Sequence, residues 1–363
     1  MRVLVVNPGS SSLKLGILES DDAAVAVCDV GCVEGQVESR SLEEFVVNAP
    51  RPDAAGVRLV HGGAAFRRSV VVDDAKLADL YEVADLAPLH NPPALEAVEV
   101  LRRRLPGIPI VACFDTAFHR TLPPAAATYA VPWEWTERWG IRRYGFHGLS
   151  HAYASRRAAD LLGSSLERPR LVTCHLGAGA SLAAVDAGVS VDTTMGFTPL
   201  DGLVMATRSG SLDPGIVLWA QRHLALSPAT IERLLEWESG LLGVSGVSGD
   251  MREVLAAAEG NERARLALEL YLHRLRGGVA AMVAAMGGLD AVVFTGGVGE
   301  NSPVIRREAC RGLGFLGIAV DPERNDGNGD REISPAGAAA RVLTVHARED
   351  LEIARETRAL LSG

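Results

Sequence analysis

Aromatic residues make up only 5% of this 363-residue chain, against 48% hydrophobic residues, so its cores must be aliphatic, built from Val, Leu, Ala and Ile. There is no block of basic residues and the formal net charge is −9, which argues against nucleic acid as a partner. No long uncharged apolar run occurs, so no membrane span and no membrane partner is expected. The apolar run after Arg2 is too short for a secretory leader and passes straight into a Ser-rich turn. Cysteine is scarce: Cys28, Cys32, Cys113, Cys174 and Cys310 are odd in number and dispersed. Cys28 and Cys32 lack the second pair that a zinc site would need. All five read as reduced, mostly buried thiols in a cytoplasmic protein.

The length exceeds what one core usually supports, and two domains are expected. Residues 3–18, VLVVNPGSSSLKLGIL, read as a strand, a turn and a second strand. The turn offers small side chains, hydroxyls, backbone N–H groups and Lys14, the parts that hold a phosphate near the backbone. It is also what an ordinary hairpin with a Ser-rich tip would look like. Residues 170–185, RLVTCHLGAGASLAAV, repeat the same grammar, without a gap-free alignment to the first copy. A third Gly-rich turn follows a strand in AVVFTGGVGEN, residues 291–301. None matches the Gly-Lys-Ser/Thr nucleotide loop or the dinucleotide fingerprint. Several separate turns holding one polyphosphate would look like this; so would three tight turns that need glycine for positive φ.

Residues 57–61 and 108–114 read as buried strands, and 73–104 as helical with an interruption at 88–93. Residues 262–286 read as one long helix, and 349–363 as an amphipathic helix. Residues 19–56 read as an acidic, weakly patterned surface subdomain. Alternating strands and helices with polar residues at strand ends imply an α/β protein whose site lies at the strand edge.

Arg58 stands inside the apolar run Val57-Arg58-Leu59-Val60-His61, where a charge is costly unless it meets an anion. Arg208 precedes a Ser/Gly turn. Arginine suits both, since it clamps carboxylate or phosphate through two hydrogen bonds. Exposed strand positions are the alternative for each. His61, His90, His147 and His175 sit at strand ends or turns without zinc spacing. His147 is flanked by Phe146 and Gly148 in a turn, which favours function; His151 reads as a capping or packing residue. Asp115 ends a strand, and Glu349 starts a helix; both suit magnesium, although an acid at a helix start is often only a dipole partner.

These segments together are specific. VVNPGSSSLK (5–14), RLVHGG (58–63), LAPLHNPPAL (86–95), FDTAFHRTLP (114–123), RYGFHGLSH (143–151), TCHLGAGAS (173–181), TMGFTPLDGLVMATRSGSLDPG (194–215), SGLLGVSGVSGDMR (239–252), FTGGVGENSPVIR (294–306) and EDLEIA (349–354) carry a resemblance to the acetate kinase family over nearly the whole chain. The resemblance implies the duplicated, ribonuclease H-like fold of actin-like ATPases and sugar kinases, with an interdomain cleft. It implies an N-terminal acyl- and phosphate-binding domain, 1–118 plus 350–363, and a C-terminal nucleotide-binding and dimerisation domain, 119–349.

It also implies roles. Arg58 and Arg208 hold the carboxylate and the transferring phosphoryl group. His147 and Arg208 stabilise the transition state, and Asp115 stands beside the acyl phosphate. Asn7 and Glu349 are linked to magnesium, with manganese as a substitute. Ser10, Ser12 and Lys14 belong to the first phosphate turn. His175, Leu176, Gly177, Ala178 and Gly179 form the second, and Gly297, Val298, Gly299, Glu300 and Asn301 the third. Asp250, Met251 and Arg252 fall where the adenosine is held. Val60, Leu89, Phe146 and Pro199 match a small apolar pocket for the acyl methyl. The expected activity is reversible transfer of the ATP γ-phosphoryl group to acetate, by a homodimer. A propionate or butyrate kinase, or a weakened ATP-binding sensor, is the alternative. Ala178 stands where the family has Asn, Ala64 where it has Glu, Ser209 where Cys is common, and Pro8 removes one N–H from the first turn. The chain is also shorter than the family's, mainly in 19–56 and near 320–345, which the resemblance implies are trimmed surface elements.

Overall fold

In the computed structural model, which describes residues 1–9, 12–31, 39–88, 90–163 and 167–363, every residue of β1 (Val3–Pro8) is buried. Its alternate residues face two separate apolar layers, which is why the run is uninterrupted rather than alternating. Leu4 and Val6 join a core with Leu95, Val98 and Leu101 of the helix Asn91–Arg104. Val3 and Val5 pack with Leu149, Ile353 and Ala354, the last two from the helix Glu349–Ser362. Ser10 and Leu89 lie outside the described residues.

The chain divides into two compact units. The first comprises residues 1–120, 146–153 and 348–363. Its sheet contains β1, β2 (Ser12–Leu18), β3 (Ala24–Gly31), β4 (Ala54–Leu59), β5 (Val70–Val71) and β6 (Ile110–Phe114), in the order β3-β2-β1-β4-β6-β5. The β1–β2 and β2–β3 pairs are antiparallel, β1–β4 and β4–β6 parallel, and β5–β6 antiparallel.

The second unit holds β7 (Arg170–Leu176), β8 (Ala180–Asp186), β9 (Val189–Thr193), β10 (Ala291–Thr295), β11 (Arg331–Glu332) and β12 (Arg341–Thr344). Their order is β11-β12-β10-β7-β8-β9. The pairing sense repeats strand for strand: β7–β8 and β8–β9 antiparallel, β7–β10 and β10–β12 parallel, β11–β12 antiparallel. The recurring turn grammar of the sequence is therefore one part of a full topological duplication.

Four readings of the sequence change. Residues 19–56 are not a surface subdomain: they supply β3, the helix Ser39–Asn48 and the start of β4. The stretch near 320–345 supplies β11 and β12. The interruption in 73–104 ends at Asn91, because Pro92 and Pro93 occupy the first helical turn, where their missing N–H groups cost nothing. Residues 146–153 group with the first unit, not with the segments that flank them in sequence. Leu149 is part of the first unit's core, and a Cβ added at Gly148 would stand 1.9 Å from the Asp115 carbonyl oxygen.

The helix Glu349–Ser362 lies equally close to β4: a Cβ at Gly56 would stand 2.4 Å from Thr357 Oγ1. Cys113, Cys174 and Cys310 are buried, and Cys28 is half-buried. Among the described residues, no helix is long and apolar enough to cross a membrane.

Candidate active site

β1, β4 and β6 are parallel neighbours, so the residues at their C-terminal ends, Asn7, Arg58 and Asp115, necessarily converge at one sheet edge. Asp115 donates its backbone N–H to the Leu59 carbonyl, which fixes its register beside Arg58. The Arg58 guanidinium gives Nε and Nη2 to Asp115 Oδ2 at 3.1 and 2.6 Å, and Nη1 to Asn7 Oδ1 at 3.1 Å. Asn7 Nδ2 donates to Glu349 Oε2 at 2.8 Å, and Arg58 Nη1 is 3.6 Å from the same oxygen. The helix Glu349–Ser362 delivers that carboxylate from the far end of the chain.

The side chains of Arg58, Asp115 and Glu349 are only 12%, 1% and 15% exposed. The anion that makes Arg58 tolerable in a buried strand is thus the protein's own Asp115. Burial alone would lower the Arg58 pKa, but Asp115 and Glu349 overcome it and hold the guanidinium above its ordinary value. Burial raises the Asp115 carboxyl, with Arg58 and the Leu149 N–H pulling against it.

The cluster sets one guanidinium beside two carboxylates, and the ligand atoms it can offer are hard oxygens. That suits a divalent cation that completes its shell with phosphate and water. Among the described residues, no group of three or more His, Cys, Asp or Glu could hold a metal alone. Glu349, Asn7 and Asp115 are the residues of this cluster that could supply part of a shell.

His147 is half-buried with φ +54°, a left-handed conformation unusual outside glycine, and starts the helix Gly148–Leu162. Its carbonyl accepts from His151 N at 2.9 Å. Phe146 is buried and meets the His61 ring edge-on at 5.3 Å between centroids. Val60 is buried next to His61. Asn91, which the sequence reading missed, clamps His61: its Oδ1 accepts from His61 N and its Nδ2 donates to the His61 carbonyl. A fully buried Asn at a helix start is visible only once burial is known.

In the first turn, Gly9 N–H donates to the Ser12 carbonyl at 2.7 Å, Ser12 is half-buried and Lys14 is exposed. Lys14 faces Asn7 across the β1–β2 register.

The remaining candidates lie in the second unit. Arg208 pairs through Nε with Glu236 Oε2 at 2.8 Å, a partner with no local sequence signal. In the second turn, His175 and Leu176 close β7. Gly177 N–H then donates to the Gly179 carbonyl, and Ala178 is exposed at the tip with its carbonyl accepting from Ala206 N. Pro199 is half-buried.

The third Gly-rich turn takes the form of a short helix, Gly296–Asn301. Gly297 and Val298 are at least partly exposed, and Gly299 is buried. Glu300 and Asn301 are used inside the structure: Glu300 Oε1 accepts from Gly296 N and Ala347 N, its Oε2 meets His346 Nδ1, and Asn301 Nδ2 donates to the Gly297 carbonyl. Arg306, also missed, is fully buried and donates to the Gly299 and Glu300 carbonyls and to Asn325. Burial lowers its pKa to about 10.

Asp250 caps the helix Met251–Ala257 by accepting from Arg252 N, and the Arg252 side chain pairs with it. Those hydrogen bonds lower the Asp250 carboxyl to about 2. Met251 is buried and Arg252 is exposed.

Two sheets of repeated topology, a charged cluster at the ends of three parallel strands and Gly-rich turns after β7 and β10 define a class: a phosphotransferase of the actin-like and sugar-kinase ATPase fold. The model of the acetokinase family matches residues 42–355. An acetate kinase of Nostoc punctiforme is 50% identical over 406 aligned positions that cover all of both chains. The crystal structure of Porphyromonas gingivalis acetate kinase superposes with a TM-score of 0.90 at 38% identity, covering 99% of each chain. That of a propionate kinase from Francisella tularensis gives 0.90 at 37%, again over 99% of each chain. The chain belongs to the acetokinase family, enzymes that phosphorylate a carboxyl group.

Proposed function

We propose that the protein catalyses reversible, magnesium-dependent transfer of the ATP γ-phosphoryl group to acetate, giving acetyl phosphate and ADP. The observation that carries this reading is the Asn7–Arg58–Asp115–Glu349 cluster, which keeps a permanent cation at a strand edge beside two carboxylates.

A short carboxylate is ionised at neutral pH and needs no general base to attack phosphorus. The barrier is the meeting of two anions, so catalysis reduces to positioning and charge neutralisation. Arg58, locked by its fork on Asp115, offers a guanidinium at fixed orientation to the acyl carboxylate. Arg208 and His147 donate hydrogen bonds to the equatorial phosphoryl oxygens, where charge grows in the transition state. Glu349 and Asn7, with Asp115 beside them, would hold the divalent cation, which when bound neutralises phosphate charge.

Val60, Phe146, Leu89 and Pro199 are assigned to the acyl methyl. Ser12, Lys14, the turn 175–179, the short helix 296–301 and residues 250–252 are assigned to the nucleotide. Within those, Glu300 and Asn301 shape the turn rather than meet phosphate. Transfer is direct and in line, with inversion at phosphorus. The enzyme is read as a cytoplasmic homodimer.

Incubation with acetate, ATP, magnesium and hydroxylamine should trap acetohydroxamate. ATP binding without hydroxamate would favour the sensor reading. Propionate is the second reading, favoured by the equal structural match to a propionate kinase. Discrimination against one extra methylene is worth only about 1–3 kcal/mol, so propionate should be a poorer substrate rather than an excluded one.

A further inference from the structure

We infer that His119 is a positioning residue for His147, acting through the Phe146 carbonyl; this rests on the role proposed for His147. His119 lies on the 3-10 turn Phe118–Thr121, 1% exposed, and its Nε2 is 3.0 Å from the Phe146 oxygen. A carbonyl only accepts, so Nε2 carries the proton and the tautomer is fixed. Burial pushes the ring down to about 4, which keeps it neutral through the physiological range.

The Phe146 carbonyl belongs to the same rigid peptide plane as the His147 N–H. Pinning that oxygen therefore sets the rotation at which His147 begins, and with it the direction of the imidazole. The position needs such a restraint. Phe146 lies between two left-handed residues, Gly145 at φ +74° and His147 at +54°, and His147 has no glycine freedom to make its conformation comfortable. A second restraint comes from the same segment. Gly148, the next residue, touches the Asp115 carbonyl so closely that a Cβ would stand 1.9 Å from it. His151, one turn into the helix, holds the His147 carbonyl through its N–H, and its ring meets the His119 ring edge-on at 5.7 Å. The stretch from Asp115 to His119 thus carries at one end the carboxylate that fixes Arg58, and at the other the imidazole that fixes the plane of His147.

The test is a double-mutant cycle of His119→Phe and His147→Ala in the hydroxylamine assay, with His119→Gln as the conservative variant. His119→Phe keeps a ring of similar size but cannot donate. It should lower kcat about tenfold or more while KM for ATP stays within about twofold. His119→Gln, whose amide donates from nearly the same place, should recover most of kcat. In the His147→Ala background, His119→Phe should cost nothing further. If His119→Phe is insoluble, His119→Asn, too short to reach the carbonyl, carries the same expectations.

A normal kcat in His119→Phe, failure of Gln to rescue, or a full additional loss in the His147→Ala background would overturn the inference. Failure of the underlying reading looks different: no hydroxamate from the unaltered enzyme, or an unimpaired His147→Ala.

Discussion

Replacing Asp115 by Asn removes one negative charge and almost no volume from a site that is 1% exposed. The wild-type carboxylate oxygen takes two donors from Arg58, at 3.1 and 2.6 Å. A hydrogen bond to a charged group is worth about 1.5–3 kcal/mol, and breaking a buried pair by removing one partner costs about 3–5 kcal/mol. The loss should fall at or below the bottom of the second range, because three things soften it. The amide oxygen of the variant side chain still accepts, Arg58 keeps Asn7 and Glu349, and the desolvation that raises the Asp115 pKa disappears with the charge. We expect a loss of about 2–3 kcal/mol in the urea transition that reports the first unit, at unchanged slope. Turnover should fall further than stability explains, by about a hundredfold or more under conditions where the variant is folded, because Arg58 loses its fixed orientation. An Asp115→Asn protein as stable as wild type, or one that turns over normally, would refute the claim that the carboxylate holds the arginine in place.

Arg208→Ala leaves Glu236, 16% exposed, without this partner and should lose some stability; under conditions where the variant is folded it should lose about a hundredfold or more in kcat, measured by the same trapping assay. His119 gives a pH signature of defined sign. Its folded pKa of about 4 lies below the unfolded value of about 6.5, so the unfolded chain takes the proton first as pH falls. The stability from burying it neutral is complete above about pH 6.5, is lost progressively down to about pH 4 and amounts to about 3 kcal/mol. The stability difference between wild type and His119→Gln, followed by urea unfolding, should narrow across that window; a constant difference contradicts it. Ala178→Asn adds an amide at an exposed turn tip and should lower KM for ATP with kcat little changed; an unchanged KM would remove Ala178 from the nucleotide site.

Much of the charged cluster was legible because burial and charge conflict locally: Arg58 in an apolar run demands an anion wherever the chain supplies one. Which anion was not legible. Asp115 is 57 residues away, and Glu349 is 342 residues from the Asn7 side chain that contacts it. Only the parallel pairing of β1, β4 and β6 brings the first three residues together. The turns after β1 and β7 were readable from small residues between apolar runs. The third turn was readable as Gly-rich, but its glycines hide a short helix held together by Glu300 and Arg306. β3 was missed because it pairs on one side only and leaves Val25 and Val27 exposed, so no clean alternation marks it. The duplication was half seen: turn chemistry repeats in the sequence, whereas strand order and pairing sense repeat only in space.

The central claim is phosphoryl transfer to a two-carbon acid, and steady-state kcat/KM for acetate, propionate and butyrate with magnesium and ATP tests it most directly. The account predicts acyl phosphate from acetate at the highest kcat/KM, with propionate lower by about tenfold or more and butyrate lower again. A butyrate optimum, or ATP binding with no acyl phosphate from any of the three acids, would contradict it.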